Sequence, residues 1–192
     1  IAQFAKRAGI ISNRINIVSD EADWIMQGRV NHWLKRLFNE KGISVVVDND
    51  FLSHLGDLTG FRVYEVGVIL TDLFDWIKAN PGKNIKGDLF DVVLNDKLFG
   101  EFLQSSLVTE ISETNNFWFQ DRFVKHLTKG ELSLIQRIAK DGQLPASDEN
   151  LEHLGRILPS AGVDFLKVEE GHIKIRGALF SDYIQTYYSI KE

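Results

Sequence analysis

Asp48 and Asp50 close the stretch VVVDND, where a β-branched run ends in two carboxylates separated by one residue. The end of a strand is where magnesium-dependent nucleases and phosphatases hold their metal, because a hard divalent cation takes oxygen ligands. Glu65 and Asp72 are the acids that would complete such a site. Those folds need several parallel strands, however, and the residues before 88 show only one. Capping of the following helix by Asp48 or Asp50 accounts for the same residues with fewer assumptions.

A second set of residues is cationic. Arg122, Lys125, Lys129, Lys174 and Arg176, gathered on one face, would neutralise the phosphates of a DNA duplex. Acids surround them: residues 88–192 hold 11 Lys and Arg against 17 Asp and Glu. The stretch SDENLEHLGRIL sets Asp148, Glu149 and Glu152 against Arg156, and the turn EEGH carries Glu169 and Glu170. Both would repel phosphate, so DNA binding here is the alternative and protein contact the first expectation. Nearer the N-terminus Lys6, Arg7, Arg14, Arg29, Lys35, Arg36 and Lys41 face four acids, with Trp24 and Trp33 among them. An aromatic and basic surface binds single strands by stacking and charge. Trp33 falls beside Leu34 and Leu37, so core packing is expected of it instead.

Other chemistry finds no support. His32, His54, His126, His153 and His172 show no ligand spacing, there is no cysteine, and no Ser or Thr stands in a nucleophile elbow. A phosphate-cradling loop needs a glycine-rich turn with Lys-Ser or Lys-Thr at a helix start, and PGKN at 81–84 lacks that spacing. Neither an enzymatic reaction nor a cofactor is expected of this chain.

The elements that would position these residues follow from periodicity. Ser19 with Asp20, Glu21 and Asp23 reads as a helix start, and Val30, Trp33, Leu34, Leu37 and Phe38 recur at three- and four-residue spacing up to Gly42. ISVVVDND predicts a strand and then a helix through FLSHL. GFRVYEVGVILTDLFDWIKANPG predicts a buried helix with Val66, Ile69, Leu70, Leu73, Phe74 and Ile77 on one face, ended by Pro81 and Gly82. Beyond residue 88 two stretches share one order of events: LFGEFLQSSLVTEISETNNFWFQDRFVKHL and HLGRILPSAGVDFLKVEEGHIKIRGALFSDYI. Each reads as an apolar helix containing Gly100 or Gly155, a short strand, a polar turn, a strand (Phe117 and Phe119, or Ile173 and Ile175) and an amphipathic helix. GDLFDVVLND and GELSLIQRIAK supply the earlier helix of each copy. The fold class is mainly α with some β: a helical region over 1–87, then two tandem winged-helix-like units at 88–128 and 129–192.

HIKIRGALFSDYIQTYY resembles the closing strand and helix of the winged-helix domain that follows the nucleotide-binding domain in STAND- and AAA-type NTPases. The resemblance lies in Ile175-Arg176, Leu179-Phe180 and Asp182-Tyr183. FWFQDRFVKHL is similar but departs at Gln120, where a basic residue is usual, and at Lys125-His126, where an acidic-aromatic pair is usual. FRVYEVGVILTDLFDWI also looks like a helix that precedes such domains. The resemblance implies a non-catalytic regulatory or protein-interaction module, with the rest of a larger NTPase chain or another protein as partner, and a nucleotide site lying outside this sequence.

With 44% hydrophobic and 26% charged residues, the 192 residues fall in the range of globular proteins. The net charge of −5 argues against a surface built mainly for nucleic-acid phosphates. The lack of cysteine is compatible with a reducing compartment, and no apolar run approaches the roughly 20 residues of a membrane span, so the expectation is a cytoplasmic protein without a membrane partner. The start at Ile1 rather than Met leaves room for a longer protein.

Overall fold

The computed structural model describes residues 19–40, 42–80, 91–105, 107–154, 157 and 165–188. The described residues are mainly helical, with two small sheets. Helix α1 (Ser19–Asn39) is followed by strand β1 (Ser44–Val47), helix α2 (Asn49–Thr59) and helix α3 (Val63–Ala79). Strand β2 (Asp91–Leu94) returns to pair parallel with β1, Ser44 opposite Asp91 and Val47 opposite Leu94. Helix α4 (Asp96–Leu103) follows directly. These elements close a first core. Val30, Leu34 and Phe38 of α1 meet Phe51 and Leu55 of α2, the Ile69, Leu70 and Leu73 stripe of α3, and Phe99 and Phe102 of α4. The spacing that predicts the α3 helix is the spacing that buries it.

Two expectations fail here. GDLFDVVLND was expected as a helix, yet its described part begins with a strand. Val92 and Val93 suit the pleat, and the Asn95 side chain accepts the Leu98 N–H at 2.9 Å, so the helix starts only at Asp96. Parallel pairing between distant segments leaves no local signature, which is why the stretch that forms β2 was expected as part of a helix. Trp33 was expected in the core but is 41% exposed; Val30, Leu34 and Phe38 carry the buried face of α1.

The hairpin expected in the first of the two copies is also absent. Residues Leu107–Arg122 form one helix, α5, followed by a 3₁₀ turn at Val124–His126. Residues two apart on a helix point about 200° apart, so Phe119 is fully buried while Phe117 is 76% exposed. The SETNN stretch, read as a turn from its Ser and Asn content, continues the helix instead. Tertiary packing of the Trp118 and Phe119 face outweighs that weak local preference.

Helix α6 (Lys129–Asp141) opens on a capping box. The Thr128 hydroxyl accepts the Glu131 N–H at 3.2 Å, and the Glu131 carboxylate accepts the Thr128 N–H at 2.6 Å. Strand β3 (Leu144–Pro145), helix α7 (Asp148–Leu154), strands β4 (Leu166–Glu169) and β5 (His172–Ile175) and helix α8 (Ala178–Tyr188) follow. The second sheet is antiparallel in the order β3-β5-β4, with Leu144 opposite Ile173 and Leu166 opposite Ile175. Glu170 and Gly171 join β4 to β5, both at positive φ (50° and 72°), the conformation that matches a two-residue turn to the strand twist. A second core gathers Phe119, Phe123, Ile135, Phe165, Ile173 and Phe180.

Candidate functional site

The two cores meet where two tight turns touch backbone to backbone. One is Thr59-Gly60-Phe61-Arg62 between α2 and α3; the other is Arg176-Gly177 between β5 and α8. Gly60 (φ 61°) takes the left-handed C-terminal position of α2, and its N–H donates to the Gly56 carbonyl at 2.6 Å. Gly177 sits at φ 82°, and a Cβ there would lie 2.6 Å from the Thr59 carbonyl carbon and 2.7 Å from the Gly60 nitrogen. Only glycine fits that approach.

Arg62 crosses the seam. Its guanidinium donates to both oxygens of Glu65, with Nη2 at 2.7 Å from Oε2, and to the backbone carbonyl of Arg176. It also lies 4.7 Å from the ring centre of Phe165 and 5.8 Å from those of Phe119 and Phe180. A planar cation with several donors can do all of this at once, which an ammonium cannot. Glu65 is completely buried. Burial pushes its carboxyl above the ordinary glutamate value, while the charge and hydrogen bonds of Arg62 pull the other way. Beside Arg62, Tyr64 stacks on Trp118 with ring centres 4.9 Å apart, so α3 and α5 are joined as well.

A cleft of about 370 Å³ opens next to this seam, with Ser53, Asp57, Lys167, Arg176, Gly177 and Ser181 in its lining. Neither Ser53 nor Ser181 has a histidine or carboxylate hydrogen bonded to it among the described residues. The cleft therefore holds charge of both signs and no activated nucleophile.

The residues expected to do chemistry are distributed as follows. Asp48 stands at the N-cap position of α2 with extended backbone, but its side chain makes no capping bond, and Asp50 lies in the first turn. Glu65 is engaged with Arg62, and among the described residues no three His, Cys, Asp or Glu side chains form a group able to hold a metal ion. His54 pairs with Asp96, Nδ1 to Oδ1 at 2.5 Å, tying α2 to α4 at the carboxyl end of the parallel strands.

Of the five cations named for DNA, Arg122 is exposed at the end of α5 and Lys129 is exposed at the start of α6. Lys125 donates to Asp121, and that hydrogen bond first, with the charge of Lys125, holds the Asp121 carboxyl below its ordinary value. Lys174 and Lys167 both pair with Glu169, at 2.8 and 3.0 Å, and the Lys174 hydrogen bond leads in holding the Glu169 carboxyl low. Arg176 sits on the seam, where its carbonyl is the acceptor for Arg62. The sequence reading missed the seam itself. Its signal was the Arg62–Glu65 spacing of three at a helix start after Thr-Gly-Phe, in which Glu65 was weighed only as a metal ligand.

No family model matches the chain, and no curated protein or solved structure matches it either. Among the described residues no helix is long and apolar enough to cross a membrane.

Proposed function

We propose that the chain is a non-catalytic regulatory module that works by protein contact, and that residues from Lys129 onward are a winged-helix-like unit closing a larger STAND- or AAA-like NTPase. The observation that carries this reading is the element order α6, β3, α7, β4, β5, α8, with β5 between the other two strands. The outward acids favour protein over DNA: Asp148, Glu149 and Glu152 lie on α7, and Glu170 stands at the hairpin tip. The Arg62 seam supports a module that presents its two cores in one fixed orientation. Its work would be to favour one state of a partner, a population shift.

The rival, a winged-helix DNA-binding regulator, needs Arg122, Lys125, Lys129, Lys174 and Arg176 to act together. It would have to draw Lys125 and Lys174 out of their pairs with Asp121 and Glu169. Two assays on the purified chain test the proposal: ATP hydrolysis, and anisotropy titration with a mixed duplex DNA pool over a salt series. The proposal expects no hydrolysis and no salt-sensitive duplex binding through the second core. ATPase activity abolished by a point change in this chain would refute it. Micromolar duplex binding lost on Lys174→Glu would hand the case to the regulator.

A further inference from the structure

The exposure of Trp33 removes the reason for assigning it to the core and draws attention to the surface it shares. On α1, Val30, Leu34 and Phe38 face inward. On the opposite side lie Arg29, His32, Trp33, Lys35 and Arg36, of which all but the half-buried Arg29 are exposed. At about 100° per residue Arg29, His32, Trp33 and Arg36 fall within about 100° of arc, with Lys35 at its far edge about 160° from Trp33, and Arg29 to Arg36 spans roughly 10 Å of helix. No Asp or Glu occurs between residues 24 and 39. Among the described residues the ion pair on this face joins Arg36 to Glu40 at 2.8 Å, and the Arg36 side chain remains 72% exposed. Arg29 and Lys35 have no ionic partner among the described residues. In a chain of net charge −5 this is a local reversal of sign around a large aromatic ring.

We propose that the outer face of α1 binds single-stranded nucleic acid, with Trp33 stacking on a base and Arg29, Lys35 and Arg36 holding the flanking phosphates. Charge complementarity names an anionic partner, and the indole narrows the choice. In a duplex the base faces are closed by their neighbours, so an exposed ring gains a stacking partner only from an unpaired base. Three cations along roughly 10 Å suit two or three phosphates of an extended strand. A membrane surface is the poorer match, because an interfacial helix needs a broad apolar face toward the lipid, and the apolar face of α1 is already packed on the first core.

The test is fluorescence anisotropy of the chain with labelled oligothymidylate and oligouridylate of about 20 nucleotides, across a salt series. The expected result is binding at micromolar or tighter concentration in about 50 mM salt, with a log–log salt slope near −2 for three phosphate contacts. Trp33→Ala should weaken it on the order of tenfold and Trp33→Phe should retain most of it. The double change Arg29→Glu and Lys35→Glu should abolish it. Circular dichroism should show the helical fold kept in every variant, Arg29→Glu at its half-buried position included. Lack of binding at low salt overturns the proposal. So does binding indifferent to Trp33→Ala, a preference for duplex over single strand, or tighter binding of polyglutamate than of either oligonucleotide.

Discussion

The guanidinium of Arg62 donates to the backbone carbonyl of Arg176, 114 residues further on, while the same group neutralises the buried carboxylate of Glu65. One side chain from the first core thus satisfies a carbonyl and caps an aromatic cluster of the second. Removing it strands a buried charge, and breaking such a pair costs about 3–5 kcal/mol. Arg62→Ala is expected to lose at least about 3 kcal/mol in urea unfolding. The double variant Arg62→Met with Glu65→Leu should lose clearly less, since apolar replacement of both partners removes the unpaired charge. Equal losses in the single and double variants would show that the pair is not what holds the seam.

The same site predicts a pH dependence with a definite sign. A carboxyl whose folded value is raised binds its proton more tightly in the native state. Its contribution therefore favours folding on the acid side and fades as pH climbs from the ordinary glutamate value through the raised one. Arg62 opposes that shift in the parent chain, so deleting it enlarges the acid-side gain. The stability deficit of Arg62→Ala against the parent should shrink between about pH 7.5 and about pH 5. Adding Glu65→Gln should leave the deficit flat over that range, and a deficit that widens on acidification would assign the dependence to another group.

Gly177 and Gly142 separate conformational cost from close packing. Both hold positive φ, 82° and 81°, but a Cβ at Gly142 meets nothing within 4 Å while one at Gly177 strikes the Thr59–Gly60 backbone. Gly142→Ala should cost about 1 kcal/mol, the usual penalty for the left-handed region. Gly177→Ala should cost at least about twice that, because the clash is with backbone that cannot step aside. Chemical denaturation of the two variants side by side measures the difference, and similar losses would mean that the two turns are not pressed together in solution.

Much of the fold was legible where periodicity and capping agree. The Val66, Ile69, Leu70 and Leu73 stripe announces α3, and the junction at Gly177 announces the change from strand to helix. What could not be read depends on partners distant in sequence. β2 is a strand because Val92 pairs with Val45, 47 positions earlier, and nothing near Val92 says so. The candidate site was the least legible part, since Glu65 and Asp48 look alike in sequence and only burial distinguishes a paired carboxylate from an exposed one.

The helical state of residues 107–122 can be checked with two phenylalanines. If Leu107–Arg122 were strand, turn and strand, Phe117 and Phe119 would share one face and lose comparable stability on truncation. In a helix they diverge. Phe119 contacts the rings of Trp118, Phe165, Phe180 and Tyr183, whereas Phe117 is 76% exposed. Phe119→Ala should therefore cost about 3–5 kcal/mol, the range for an aromatic removed from a packed core. Phe117→Ala should stay within about 0.5 kcal/mol of the parent, as surface substitutions do. Urea unfolding of the two variants decides between the two geometries, because comparable losses at both positions fit a strand and are incompatible with this helix.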